Sequence, residues 1–71
     1  MMEYAVVFEK TSNGWSAYVP DLPGLGVAAE TIEETEQLIR EGIVLHIEGM
    51  REDGLAIPEP VTRVTRMKIP A

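Results

Sequence analysis

Thr31-Ile-Glu-Glu-Thr-Glu-Gln-Leu-Ile-Arg-Glu-Gly-Ile-Val-Leu-His-Ile-Glu-Gly-Met-Arg-Glu-Asp-Gly54 is the stretch whose reading decides the fold. Set at about 100° per residue, it separates into two arcs. Ile32, Thr35, Leu38, Ile39, Gly42, Ile43, Leu45, His46, Ile47, Gly49 and Met50 fill one. Glu33, Glu34, Gln37, Arg40, Glu41, Glu48, Arg51 and Glu52 fill the other, with Val44 the only apolar intruder and Glu36 at the border. A wide apolar stripe opposite a charged one predicts an amphipathic helix lying on a core. Its ends are marked. Thr31 followed by Glu34 is a capping box. Glu33, Glu34 and Glu36 favour the positive end of the helix dipole. The helix runs to about Asp53, and Gly54 suits the left-handed residue that closes many helices. Gly42 and Gly49 each cost about 1 kcal/mol against Ala. Both lie on the apolar arc, where a missing side chain lets a sheet or second helix approach.

Upstream, the period changes from helical to two. Glu3 to Lys10 reads as a strand, Thr11-Ser12-Asn13-Gly14 as a turn, and Trp15 to Pro20 as the return strand. Asn-Gly tolerates the positive φ of tight hairpins. Two- and four-residue loops both put the same side chains on the same faces. Tyr4, Val6, Phe8, Trp15, Ala17 and Val19 share the apolar face; Ala5, Val7 and Tyr18 share the other with Glu9 and Ser16. Pro20-Asp21-Leu22-Pro23-Gly24 then breaks the strand, since two prolines fix φ and remove two donors. Leu25 to Glu30 makes a short third strand. Downstream, Ala56-Ile57-Pro58-Glu59-Pro60 is a stiff connector, and Val61 to Ile69 is rich enough in β-formers to predict a last strand of open register. The expected fold is therefore α+β: three to four antiparallel strands packed on one amphipathic helix, in the order β-β-β-α-β.

The 71 residues allow one domain, residues 1–71, with 45% hydrophobic and 25% charged residues, an ordinary globular balance. A domain this small buries only about 60% of its unfolded surface, so self-association would help it. With no cysteine, disulfides, thiol catalysis and cysteine–zinc sites are excluded. No apolar run reaches the ~20 residues of a membrane span, and no signal-type N-terminus is visible. The expected compartment is the cytoplasm. The net charge of −6 makes direct nucleic-acid binding unfavourable. Eight of the twelve carboxylates fall between residues 30 and 53, whereas Arg63, Arg66 and Lys68 follow Pro60 with no acid among them. An acidic face attracts a basic partner; charges on a last strand keep an edge from pairing wrongly.

Catalytic chemistry finds no purchase. His46, the single histidine, lies among Thr35, Ile39, Gly42 and Met50, which offer no metal donors. Glu3 and Glu9 point away from the Val6 face, and most other acids line the solvent arc of the helix, so no carboxylate set converges on a metal. Ser12 and Ser16 lack a base at a motif spacing, and no phosphate-cradling Gly-rich loop follows a strand. No catalytic residue, cofactor or metal is expected. The remaining features are those of a binding module. Leu22 and Leu25, beside Pro23-Gly24, read equally as partner anchors on a rigid loop or as core plugs. Asp21 reads as a loop residue that holds the turn.

Tyr4 to Glu9, Gly14 to Gly24, the Glu30-Thr31-x-Glu33-Glu34 helix start and Glu52-x-Gly54-x-x-Ile57-Pro58-x-Pro60 cover most of the chain. In this order and spacing they resemble the HicB-like antitoxin family. The resemblance implies a degenerate ribonuclease H-like fold without catalytic carboxylates. It implies a partner, the small basic HicA-type mRNA endoribonuclease toxin, which the antitoxin domain binds and inhibits. It also implies a homo-oligomer, dimer or tetramer. Many members carry a second, DNA-binding domain, for which these 71 residues leave no room. On this reading the partner contacts are Asp21, Leu22, Pro23 and Leu25 of the loop and Glu34, Glu41 and Glu48 of the acidic helix face. Ala5, Val7 and Tyr18 are the expected oligomer interface. The alternative is a solitary homo-oligomeric module with a different partner.

Overall fold

The computed structural model describes residues 2–71. Three strands and one helix follow in order: β1 (Val7–Lys10), β2 (Trp15–Tyr18), β3 (Gly26–Ala29) and α1 (Ile32–Glu52). The sheet is antiparallel with strand order β1-β2-β3. Val7 pairs with Tyr18, Phe8 with Ala17, and Ala17 in turn with Val27. The faces fall as the period-two pattern requires. Ala17 is buried under the helix, whereas Tyr18 on the other face is 43% exposed.

Of the two loop lengths open to the sequence, the hairpin takes the four-residue one, Thr11 to Gly14. Lys10 pairs with Trp15 across four loop residues, and the Thr11 N–H donates to the Gly14 carbonyl at 2.9 Å. Neither Asn13 nor Gly14 has positive φ. Gly14 is needed for space: it is buried, and a Cβ there would overlap the Ala29 carbonyl oxygen of β3. Across the hairpin end, the Lys10 ammonium lies 5.2 Å from the centre of the Trp15 ring, a cation–π distance.

β1 is shorter than Glu3 to Lys10 because its partner stops. After Tyr18 the chain turns at Val19-Pro20, and the Leu22 N–H donates to the Val19 carbonyl at 3.0 Å. Residues 3–6 therefore have no ladder beside them. A second turn follows at once, Leu22-Pro23-Gly24-Leu25, closed by the Leu25 N–H on the Leu22 carbonyl at 3.2 Å. Gly24 has φ 89°, the positive value required after Pro in a type II turn.

Both helix ends match their sequence marks. The Thr31 hydroxyl oxygen accepts from the Glu34 N–H at 3.1 Å, and the hydroxyl donates to the Glu34 carboxylate at 2.9 Å. At the other end Gly54 has φ 70°. Its N–H donates to the Arg51 carbonyl, and the Leu55 N–H donates to that of Met50 at 2.9 Å, the paired bonds of a Schellman motif. Thr35 is fully buried and satisfied, its hydroxyl donating to the Thr31 carbonyl at 2.8 Å.

Ala17, Val19, Leu22 and Ile39 form the buried apolar core, with Tyr4, Val6, Phe8, Leu25, Val27 and Ile43 packed against it. The helix lies over β2 and β3. It is longer than the sheet can cover: 21 residues span about 31 Å, whereas four-residue strands span about 13 Å. The apolar arc is also wider than the sheet covers, and its flank beside the buried Thr35 and Ile39 stays in solvent. Leu38 is 41% exposed and Leu45 68%.

The last strand is absent. Nothing after Glu52 is in helix or strand, and Val61, Val64, Met67 and Ile69 are all exposed. β-forming composition yields a strand only where an edge is alongside. Two bonds direct this segment instead. The Tyr4 hydroxyl donates to the Pro58 carbonyl at 2.6 Å. Both oxygens of Asp21 are bound by Thr62, one by its N–H and one by its hydroxyl.

Candidate protein-binding face

Glu34, Leu38, Glu41, Leu45 and Glu48 follow one another along α1 at spacings of four and three, and all five are exposed. On a helix this spacing makes a nearly straight row of neighbours. Two leucines seven residues apart alternate with three glutamates seven residues apart, and no base interrupts them. The expected contacts Glu34, Glu41 and Glu48 are thus brought together. Leu38 and Leu45 join them, although amphipathicity assigned both to the core. The four-three spacing is the signal that joins them, and it is legible in the sequence.

The glutamates differ in freedom. Glu34 is held by the cap, and Glu41 accepts from the Gln37 amide at 2.7 Å. Glu48 has no hydrogen bond or ion pair among the described residues. The pair Arg40–Glu36, at 3.5 Å, belongs to another side of the helix. An apolar pair rimmed by carboxylates can desolvate at its centre and steer a cationic surface at its edge.

The loop residues separate. Leu22 is 0% exposed, which corrects its reading as a partner anchor. Two consecutive turns fold the loop inward and drive it under the sheet as a plug. Asp21 is half-buried, and its carboxylate holds Thr62 rather than the turn. Pro23 is exposed. Leu25 is half-buried and reaches the helix where Gly42 leaves room; a Cβ on Gly42 would lie 3.1 Å from Leu25 Cδ1. Because Gly42 neighbours both Leu38 and Leu45 on the helix, Leu25 borders the glutamate–leucine row.

Val7 and Tyr18 are cross-strand partners on the outer face of the sheet, away from the helix. Ala5 precedes β1 and is half-buried. These three belong to a different surface from the row. His46 is half-buried, and Arg63, Arg66 and Lys68 are exposed. Among the described residues no three His, Cys, Asp or Glu side chains are grouped to hold a metal ion, and no buried side-chain polar atom lacks a partner. No helix is long and apolar enough to cross a membrane.

Comparison with known proteins gives this geometry a family. Residues 4–70 match the model of the HicB-like antitoxin of bacterial toxin-antitoxin systems. Antitoxin HicB 2 of Photorhabdus laumondii is 32% identical over 62 residues, covering 87% of this chain and 45% of its own. A protein of Archaeoglobus fulgidus named only as UPF0150 is 35% identical over 66 residues, covering 89% of this chain and 96% of its own. The chain thus spans less than half the length of the Photorhabdus relative and nearly all of the archaeal one. Among solved structures, a chain of the HicA3 and HicB3 toxin-antitoxin complex superposes with a TM-score of 0.71 at 28% identity, covering 84% of this chain and 70% of that one. The three-stranded sheet with one helix is shared with a toxin-antitoxin structure, and the chain belongs to the HicB-like antitoxin family.

Proposed function

We propose that this chain is the inhibitory domain of an antitoxin, which binds a small basic HicA-type mRNA endoribonuclease and blocks it, without catalysing a reaction itself. The observation that carries the reading is the exposed row Glu34, Leu38, Glu41, Leu45 and Glu48 on a chain of net charge −6. Leu38 and Leu45 are the apolar centre of the contact, with Leu25 and Pro23 of the loop at its border. The three glutamates meet the toxin's cations. Similarity to a chain of a toxin-antitoxin complex supports the partner class. The acidic balance disfavours direct binding of nucleic acid, so inhibition works by covering the enzyme rather than by competing on its RNA.

The test is co-expression with the product of the adjacent reading frame. Co-purification and restored growth are expected, and Leu45→Asp together with Glu41→Lys abolishes both while the helix stays folded. A double variant that still captures and silences the toxin would remove the row from the interface. Failure to recover any basic ribonuclease would remove the function itself.

A further inference from the structure

We propose that the groove beside β1 seats residues 63–71 of a second copy of this chain, two copies exchanging these segments reciprocally. The groove exists because the helix lies over β2 and β3 and leaves the inner face of β1 open. Tyr4, Val6 and Phe8 form one wall and Ile39, Ile43 and Val44 the other. β1 is an edge strand with one side unpaired, and residues 3–6 ahead of it have no ladder on either side. Such an edge is a template for another extended chain.

The segment has the complementary properties. Met67 and Ile69 alternate with Arg66 and Lys68, so over residues 66–69 an extended conformation puts the two apolar side chains on one face and the two cations on the other; ahead of them Arg63 shares the face of Met67 and Val64 that of Arg66. Met67 and Ile69 are 78% and 77% exposed. Charge is divided in the same sense. All twelve acids lie in residues 1–62 with three of the six bases, which leaves that part at −9 and residues 63–71 at +3. Glu3 and Glu36 stand at the groove, with Arg40 beside them 3.5 Å from Glu36.

Exchange rather than folding back follows from the anchors. Tyr4 holds Pro58 and Asp21 holds Thr62, and beyond Thr62 every residue is exposed. Val64, Met67 and Ile69 are 64%, 78% and 77% exposed, so the segment is not packed on its own body. Residues 63–69 extended span about 23 Å, enough to lie along residues 3–9 of another copy. Two such placements about a two-fold axis form a closed dimer, and each sheet gains the fourth strand that the sequence pattern describes.

The test needs this chain alone, so it is independent of any toxin. Light scattering on the full chain at micromolar concentration is expected to give twice the chain mass. Deleting residues 63–71 gives a monomer with unchanged helical circular dichroism. Met67→Asp weakens the dimer at least tenfold, since each buried methylene is worth roughly fourfold, and Tyr18→Asp on the outer face does not weaken it. The chain has no cysteine, so Val6→Cys and Met67→Cys chains can be mixed under mild oxidation; a cross-linked pair forms faster in the mixture than in either alone. A monomeric full chain overturns the proposal. So does a dimer that survives the deletion, which would place the interface elsewhere, as on Ala5, Val7 and Tyr18. A chain carrying both cysteines that closes on itself overturns it too.

Discussion

Asp21 and Thr62, forty-one residues apart, share two hydrogen bonds: the Thr62 N–H donates to one carboxylate oxygen at 3.0 Å and the Thr62 hydroxyl to the other at 2.8 Å. The loop between β2 and β3 is thereby tied to the chain that leaves the domain after Pro60. Asp21→Ala is expected to lower stability by about 1–2 kcal/mol, the scale of hydrogen bonds to a charged acceptor at a partly exposed site. Urea denaturation measures it, and amide exchange at Thr62 should accelerate. Unchanged exchange there would show that the tie does not hold the segment.

Leu22 and Leu25 bracket the same turn and should respond differently. Leu22 is completely buried and Leu25 only partly. Leu22→Ala is expected to cost about 2–5 kcal/mol through lost burial and an unfilled cavity. In a domain this small that is a large share of the total, so thermal melting should start near ambient temperature. Leu25→Ala should cost less than Leu22→Ala. Equal losses would mean that Leu25 carries the core contact.

Two glycines should respond in opposite directions. Gly14 has no space for a methyl group against the Ala29 carbonyl, whereas nothing lies within 4 Å of the Cβ position on Gly49. Gly49→Ala gains helix propensity of about 1 kcal/mol and should raise the melting temperature by several degrees. Gly14→Ala should lower it, because the contact is with backbone that cannot step aside. A melt of the two variants beside the parent settles both signs.

Thr31→Ala removes the cap of α1. The loss expected is about 1 kcal/mol, with fraying of the first turn visible as faster exchange at the Glu34 amide. Thr31→Ser keeps the hydroxyl and should stay near the parent. A serine variant as weak as the alanine one would assign the effect to the lost methyl group.

How much of this was legible follows the range over which each signal acts. The helix and both its ends were readable because capping and the 3.6-residue period are local; Thr31, Glu34 and Gly54 act within one turn. The two sheet faces were readable for the same reason. The tie between Asp21 and Thr62 was not, since no local pattern marks a bond across forty-one residues. The expectation of a last strand rests on composition, which reports fitness for a ladder but not the presence of an edge. The helical period assigns Leu38 and Leu45 to the core because amphipathicity measures which side is apolar, not how much of that side a short sheet can cover. Leu22, between two prolines, looks the same in sequence whether it turns in or out, and only the pair of consecutive turns decides.

The exposed flank of α1 has a consequence for variation. The side chains at Glu34, Leu38, Glu41, Leu45 and Glu48 lie in solvent, while Thr35 and Ile39 on the same helix carry the packing. Apart from Glu34, which also closes the cap, the row can change residue by residue with little cost to folding. On the contact proposed above, a duplicated copy could drift toward a different partner while still folding on Ile39 and Leu22. Under that proposal recognition and architecture are written on separate positions of one helix, and a set of such domains can diverge in partner while remaining alike in shape.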